Sequence, residues 1–304
     1  MMLQSPAIMF NIYKEHQLLK RLIRDHKVDV VISDNRFGLW SRKAYSVYIT
    51  HQLMIKAPEK MRWAEPLLYR VHGWFINHYD ECWIPDYAGE KNLSGDLSHQ
   101  YPFPQNGHYI GILSRFENFT GPVKPAEQKK APDLLIMLSG PEPQRTILEN
   151  VILKKLVQHQ HLNVVILQGL PGKFQKHSPL PGVTIFNHLP DAEIIGLINH
   201  SGVIICRPGY STIMDLVTLG RNAVLVPTPG QTEQEYLARH LSTDRSFYII
   251  TQDKFNLSLA LQAGLQLSVH KDFRNDLFLL AARITGLHER FQNKHPHCTQ
   301  QIID

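Results

Sequence analysis

A short stretch near position 210 places an arginine, a glycine, two hydroxyls and a carboxylate at the junction between a strand and a helix. An apolar run leads into Arg207 and Gly209, and Ser211 or Thr212 is well placed to cap the helix that follows. Free backbone N–H groups and the positive helix end face outward at such a junction, which favours a pyrophosphate. Asp215 lies one turn farther, where a carboxylate can accept hydrogen bonds from two vicinal ribose hydroxyls. The stretch therefore indicates a nucleotide diphosphate site, or else only a well-formed strand-to-helix turn.

A second polar cluster follows the next apolar run. Residues 223–226 end at Pro227, and the chain then carries Gln231, Glu233 and Gln234. The cluster is expected at the carboxyl edge of a sheet, which is where open α/β sheets bind ligands. The two clusters together favour the ligand site over the purely structural turn.

The elements that would hold these residues alternate between strand and helix from residue 133 onward. Short apolar runs without polar alternation indicate strands that are buried on both faces, so a parallel sheet covered by helices is expected. The predicted strands are 134–138, 164–167, 183–186, 203–206, 223–226 and 248–251, and the predicted helices are 145–160, 192–200, 211–219 and 233–241. This half is predicted to be a Rossmann-like domain.

The first half carries a second, less regular α/β pattern. Its predicted helices are 14–26 and 59–77, and its predicted strands are 28–33, 46–50 and 81–84. Residues 116–132 are rich in proline and poor in aliphatic residues, which is typical of a linker. We therefore expect one domain over 1–115, a linker over 116–132, a ligand-binding domain with C-terminal helices over 133–292, and a polar tail over 293–304.

Composition narrows the class of protein. The chain has 304 residues, and its longest apolar runs are far shorter than the ~18 residues of a transmembrane helix. Cys82, Cys206 and Cys298 are widely spaced, so the protein is expected to contain neither a disulfide framework nor a zinc cluster. The first ten residues lack the features of a secretory signal, and a location in the reducing cytoplasm is therefore expected. The net charge of +5 suits phosphate-bearing ligands or an anionic membrane surface and is too diffuse to indicate nucleic acid.

The stretch from 203 to 239 resembles the donor-nucleotide motif of GT-B glycosyltransferases of the MurG type, family 28. The residues that match this motif in order and spacing are Arg207, Gly209, Thr212, Asp215, Gly220, Pro227 and Gln234. The resemblance implies that Asp215 binds the ribose of a UDP-sugar, that the turn and helix end face the diphosphate, and that Gln234 contacts the sugar hydroxyls. The chain departs from the family pattern in carrying Asp215 where glutamate is usual and Ala238 where asparagine is usual.

Other segments are similar to parts of the same family. Residues 134–145 resemble the strand and loop that open the C-terminal domain of the family. Residues 110–115 resemble the segment whose arginine reaches the donor phosphates. Residues 186–190 occupy the place of the loop that recognises uracil in the family. Arg145 is expected either to contact a phosphate or only to begin a helix. The full donor-binding set expected from the residues and the resemblance is Arg115, Ser139, Gly140, Arg145, His188, Arg207, Gly209, Tyr210, Ser211, Thr212, Asp215, Gln231, Glu233 and Gln234.

The first half is similar to the acceptor-side domain of the family but has no opening strand with a Gly-x-Gly-His loop. The resemblance therefore implies a GT-B fold, two Rossmann-like domains with parallel sheets, in which the N-terminal domain is incomplete. Asp34 and His51 each follow an N-terminal strand and are the candidate catalytic residues, although either can instead be structural. Positive charge and helix dipoles suffice in type to stabilise leaving UDP, so no metal and no cofactor other than the UDP-sugar co-substrate is expected.

The function implied by the resemblance is inverting transfer of a hexosyl group, with N-acetylglucosamine as the expected sugar, from a UDP-sugar to a glycan or lipid-linked acceptor of the cell envelope. Two alternatives stay open: a non-catalytic nucleotide-sugar-binding remnant, and an enzyme similar to UDP-GlcNAc 2-epimerase. Helix 59–77 mixes apolar and basic residues, which is typical of an interfacial membrane contact but also of a core helix with a solvated face. The expected location is the cytoplasm, with peripheral contact to the inner membrane.

Overall fold

The computed structural model describes residues 5–117, 119, 131–172, 174–268 and 277–292. The chain divides into two compact units, one formed by Met1–Ile112 with Asp276–Asp304 and the other by Leu113–Asn275. Most of the predicted linker and all of the predicted polar tail lie outside the described residues.

The first unit contains a four-stranded parallel sheet with the strand order β1-β2-β3-β4. Its elements are α1 (Ser5–His26), β1 (Val30–Asp34), β2 (Tyr45–Ile49), a 3-10 helix (Glu59–Ala64), α2 (Glu65–Ile76), β3 (Glu81–Ile84), α3 (Asp96–His99) and β4 (Gly107–Tyr109). The three strands predicted from the sequence are all present, whereas β4 and α3 were not predicted. Parallel strands in sequential order place the carboxyl ends of all four at one edge.

The helix predicted over 59–77 is two elements. A 3-10 helix covers Glu59–Ala64, and the α-helix begins only at Glu65, with Pro66 in its first turn. Proline has no backbone N–H to donate, so it is tolerated in the first turn of an α-helix but not in the interior. Pro66 thus sets where α2 starts.

The second unit contains a seven-stranded sheet with the order β11-β10-β9-β5-β6-β8-β7. Its elements are β5 (Leu134–Met137), α4 (Gln144–Leu156), β6 (Val164–Leu167), β7 (Lys176–His177), β8 (Val183–Phe186), α5 (Asp191–His200), β9 (Val203–Cys206), α6 (Tyr210–Thr218), β10 (Ala223–Leu225), α7 (Thr232–Leu241), β11 (Phe247–Ile249) and α8 (Leu257–Gln266). All pairings are parallel except that of the short β7 with β8. The central strands are buried along their whole length, as the uninterrupted apolar runs predicted.

The last described helix, α9 (Leu277–Gln292), belongs to the first unit. Leu287 packs with Val47, Trp83 and Ile110 of that unit, and Phe291 lies against the same cluster. The sequence assigned this helix to the second domain, and the assignment was wrong because an amphipathic pattern predicts a buried face without identifying the surface that covers it.

The described part of the chain has no helix that is both long enough and apolar enough to cross a membrane. Cys82 and Cys206 are buried, free thiols, and burial raises the pKa of each to about 12. Both therefore stay protonated at neutral pH. Cys298 lies outside the described residues.

Candidate functional site

The predicted donor residues follow neighbouring strands of the second sheet. β10, β9 and β5 are adjacent and parallel, so the loops after residues 225, 206 and 137 meet at the carboxyl edge. This is the edge at which open α/β sheets bind ligands. The topology thus brings the Ser139 loop, the Gly209 turn and the Gln231 loop to one edge of one unit.

The N-terminus of α6 is free of any side-chain cap. Gly209 is the N-cap residue in an extended conformation, the helix begins at Tyr210, and among the described residues no side chain caps it. The expectation that Ser211 or Thr212 caps the helix was wrong, because both residues lie inside its first turn. Ser211 is exposed there and Tyr210 is buried. The helix end therefore presents backbone N–H groups that no described side chain caps, together with a positive dipole, and this arrangement suits a diphosphate.

Arg207 lies in a different position from the one that the sequence predicted. Its side chain is buried, and its two Nη atoms donate to the carbonyls of Val226, Pro227 and Gln144 and to the side-chain oxygen of Gln252. Burial lowers the pKa of the Arg207 guanidinium to about 10, so it remains charged at neutral pH. The predicted direct contact with a donor phosphate does not fit this geometry. Arg207 instead ties together the loops that form the edge.

Asp215 is also committed to partners within its own unit. The Ser114 hydroxyl donates to its Oδ1 at 2.7 Å, and Nε of Arg115 donates to its Oδ2 at 3.3 Å. Burial raises the pKa of Asp215, an effect that these two donors oppose. The sequence assigned this carboxylate to the ribose, but the structure pairs both of its oxygens with the segment that opens the second unit. These contacts connect α6 to that segment.

Arg115 is the predicted donor residue whose charge stays accessible. Its side chain is about half exposed and bridges Asp215 and Asp191, with 3.1 Å between Nη1 and the Asp191 Oδ1. Its guanidinium also lies over the ring of Phe116, 4.6 Å from the ring centroid. The two carboxylates fix its direction at the start of α5 and along α6. The remaining guanidinium edge can donate to an anion.

The loops after β5 and β10 lie at the carboxyl edge of the second sheet. Gly140 has a φ of +97°, a conformation that favours glycine, and Thr228 Oγ1 lies 3.7 Å from the point where a Cβ would stand. That hydroxyl is buried and has no hydrogen-bond partner among the described residues. The side-chain oxygen of Gln234 accepts a bond from the Thr228 backbone N–H at 2.9 Å. Gln234 thus holds the loop through its oxygen.

Arg145 does not face the edge as a free cation. It is buried, paired with Glu142, and its Nη1 lies 3.7 Å from Oε2 of Glu149. Its side chain is only 8% exposed, whereas that of Arg115 is 52% exposed, so the expected phosphate contact does not fit Arg145 and the alternative, a residue of the first turn of a helix, does. Ser139, next to the Gly140 turn, is half-buried.

The other predicted donor residues lie around the same edge. His188 follows β8, its ring stands edge-on to Phe174, and its Nδ1 is buried without a partner in the described part of the chain. Gln231 is the N-cap residue of α7 but makes no side-chain cap, and Glu233 lies in the first turn. A carboxylate at this position is favoured by the helix dipole.

The predicted catalytic residues both follow strands of the first sheet. Asp34 ends β1, and His51 comes two residues after β2, whose Ile49 pairs with Asp34. Asp34 is exposed and His51 is half-buried. Between them Asn35, with a φ of +54°, accepts hydrogen bonds from the Tyr48 and Thr50 hydroxyls. The two candidates thus share the carboxyl edge of this sheet.

Several residues of these sites were missed by the sequence reasoning. Ser114, Thr228 and Gln252 hold the loops at the carboxyl edge of the second sheet, and Asn35 orders the carboxyl edge of the first. Ser114 adjoins Arg115, and Asn35 follows Asp34 in a predicted turn, so both carried a local signal. Gln252 reaches Arg207 from 45 positions away, which no local pattern indicates.

Comparison with known proteins finds a family model that matches nearly half of the chain. Residues 140–283 match the model described as glycosyltransferase family 28 C-terminal domain. Two similar curated proteins share the name UDP-N-acetylglucosamine--N-acetylmuramyl-(pentapeptide) pyrophosphoryl-undecaprenol N-acetylglucosamine transferase. The one from Desulforudis audaxviator is 42% identical over 64 residues, 20% of this chain and 17% of that protein. The one from Buchnera aphidicola is 25% identical over 197 residues, 60% of this chain and 52% of that protein. The similarity thus spans about half or less of these relatives' length.

Solved structures give the fold. The crystal structure of the glycotransferase of kitacinnamycin is similar with a TM-score of 0.61 and 13% identity, covering 94% of this chain and 82% of that chain. UDP-GlcNAc 2-epimerase from Methanocaldococcus jannaschii, in complex with UDP-GlcNAc and UDP, gives a TM-score of 0.58 at 13% identity, covering 91% and 80%. At such identities the likeness concerns the fold alone, and it confirms the predicted fold class.

Proposed function

We propose that this chain is a glycosyltransferase that uses a UDP-sugar, because residues 140–283 match the model described as glycosyltransferase family 28 C-terminal domain, in agreement with the MurG-like motif. The observation that carries the proposal is the uncapped N-terminus of α6 beside the glycine turn at Gly140, at the carboxyl edge of the second sheet. Backbone N–H groups without a side-chain cap, a positive dipole and backbone without a Cβ are what a sugar diphosphate needs for close approach.

The leaving UDP would be stabilised by the helix end and by Arg115. As the bond between the anomeric carbon and the diphosphate oxygen breaks, negative charge develops on that oxygen, and preorganised donors stabilise it. Ser211, exposed in the first turn of α6, adds a hydroxyl donor. Arg207 and Asp215 act through the loops that they hold, as positioning residues.

The sugar and the acceptor are proposed from the printed names of the two relatives. Both act with UDP-N-acetylglucosamine and an undecaprenol-linked acceptor, so we infer an N-acetylglucosaminyl group and a glycan or lipid-linked acceptor of the cell envelope for this chain. Transfer with inversion needs a base for the acceptor hydroxyl, and Asp34 and His51 are the candidates. The amide nitrogen of Gln234 would contact the sugar.

Contact with the inner surface of the membrane would accompany a lipid-linked acceptor. An exposed apolar face runs along the 3-10 helix and α2, flanked by the exposed basic residues Lys60 and Arg62. The face consists of Trp63, Leu67, Val71 and Trp74, which are 75%, 58%, 49% and 57% exposed. Tryptophans beside basic residues suit the interface of an anionic bilayer. We propose a peripheral protein of the cytoplasmic side.

The proposal is tested with the full chain, UDP-GlcNAc and a bacterial membrane extract. UDP release and transfer of labelled N-acetylglucosamine to extracted lipid are followed together. We expect both, and we expect Asp34→Asn or His51→Gln to lower transfer by about 10²-fold or more, the usual effect of losing a general base. Asp25→Asn, an exposed carboxylate of α1, is the matched control.

The outcomes separate the candidate functions. Donor binding without transfer would support the non-catalytic alternative. Conversion of UDP-GlcNAc to an epimer would support the epimerase alternative, whose known structures share the fold. The absence of any UDP-sugar binding would contradict all three.

A further inference from the structure

A groove in the first unit lies at the edge of the sheet opposite to Asp34 and His51. One wall is a stripe of α2, and the other is the chain just before β4. The groove is about 750 Å³, within the range of small-molecule sites, and the residues that line it and carry the argument are Arg70, Gly73, Trp74, Asn77, Phe103 and Gln105. Because β3 and β4 begin beside it, the groove is at the amino edge, away from the residues proposed for transfer.

Gly73 gives the groove its floor. It lies in the interior of α2, where glycine is unfavourable relative to alanine, and a Cβ built there would meet nothing within 4 Å. Packing therefore does not require a glycine at this position. Because Gly73 has no side chain, open space remains between Arg70 and Trp74 on one side and Asn77 on the other.

The far wall is rigid. Phe103 stacks on Tyr109 with 4.7 Å between ring centroids, and its ring would be within 3.0 Å of a Cβ at Gly107. Asn106 is fixed by bonds from its amide nitrogen to the carbonyls of Ile76 and Tyr79, at 3.2 Å and 2.9 Å. A preformed wall reduces the entropy that a ligand must lose on binding.

The chemistry of the lining matches a sugar chain. Trp74 and Phe103 are exposed aromatic rings, against which the C–H faces of pyranose rings pack. The amides of Asn77 and Gln105 can each donate to one hydroxyl and accept from its neighbour, and Arg70 offers a planar set of donors that suits a carboxylate. No ion pair involving Arg70 is found in the described part of the chain.

We propose that this groove binds an acidic oligosaccharide, at a site separate from the one that carries transfer. The proposal does not depend on the transferase activity. Trp74 also borders the apolar face proposed for membrane contact, so a lipid is the competing occupant that the experiment must exclude.

The test titrates the full chain with tetragalacturonate as the acidic probe and chitotetraose as the neutral probe, by calorimetry at low salt. We expect the acidic probe to bind at least ~5-fold more tightly than the neutral one. Gly73→Leu should weaken both by at least ~10-fold, because the new side chain fills the floor. Arg70→Gln should remove the preference for the acidic probe.

Two controls keep the result interpretable. Gly286→Leu changes the glycine of α9, which likewise has nothing near a built Cβ, and should leave binding unchanged. Arg42→Gln removes an exposed charge outside the groove and should also leave saccharide binding unchanged.

Unchanged affinity in Gly73→Leu would overturn the proposal. So would failure of both probes to bind at millimolar concentration. Vesicles of phosphatidylglycerol provide the last arm: if Gly73→Leu lowers vesicle binding while neither saccharide binds, the groove takes a lipid and the proposal is wrong.

Discussion

The bond between Ser114 and Asp215 joins the segment that opens the second unit to α6. Both residues are buried and their oxygens are 2.7 Å apart, so truncating Asp215 leaves a buried hydroxyl without its acceptor. A hydrogen bond to a charged group contributes about 1.5–3 kcal/mol. The Arg115 side chain is half exposed, so solvent screening limits its ion pair with Asp215 to about 0–1 kcal/mol. Asp215→Ala should therefore lower the free energy of unfolding by about 1.5–4 kcal/mol.

A double-mutant cycle of Ser114→Ala and Asp215→Ala isolates that bond. We expect a coupling free energy of about 1–2 kcal/mol in urea unfolding followed by far-ultraviolet circular dichroism. All four tryptophans lie in the first unit, so tryptophan fluorescence provides an internal reference for that unit. A coupling within about 0.3 kcal/mol of zero would refute the assignment of Asp215 as a positioning residue and return it to the ribose.

Three further predictions concern single residues. Burial lowers the pKa of His72 to about 4, so between about pH 6.5 and pH 4 the unfolded state binds a proton that the folded state does not. The free energy of unfolding, measured in urea titrations, should therefore fall by about 2 kcal/mol from pH 7.5 to pH 5. His72→Gln should reduce this pH dependence. Gly73→Ala should raise the free energy of unfolding by about 0.5–1 kcal/mol, seen as a higher Tm, and a lower Tm would show that the helix is crowded there. Gly140→Ala should lower the free energy of unfolding by about 1–3 kcal/mol, because the backbone of Gly140 has a positive φ, and it should also weaken UDP binding in calorimetry.

The fold of the second unit was largely readable from the sequence. Strands such as Val164–Leu167 and Val203–Cys206 are short, wholly apolar and separated by helical periodicity, so each local pattern agrees with the global arrangement. Elements without such a pattern were not predicted. β4 is three residues, Gly107–Tyr109, with no apolar run. In Leu257–Gln266 the buried positions Leu257, Ala260 and Gly264 have helical spacing, but two of them are small residues, and Leu259 and Leu265 on the exposed side obscure the pattern.

The candidate site was predicted in its residue types more than in its contacts. The strand, glycine and helix start around Gly209 are local features and were found where expected. The partners of Arg207 and Asp215 come from 63 and 101 positions away, at Gln144 and Ser114, so their commitment to loop positioning could not be inferred. The spacing of the motif predicts that these residues lie at the carboxyl edge of the sheet. Which of their side chains remain accessible to a ligand depends on burial, which the spacing does not predict.

The central claim is that the N-terminus of α6 receives the diphosphate of a UDP-sugar. Ser211→Asp tests it most directly, because a carboxylate in the first turn complements the helix dipole and should not impair folding, yet it repels a diphosphate at that place. Calorimetry of the full chain with UDP-GlcNAc, with Ser211→Asn as the uncharged control, should show affinity reduced by at least ~10-fold in the aspartate variant and little changed in the asparagine variant. Equal affinity in the two variants, with folding intact, would contradict the account.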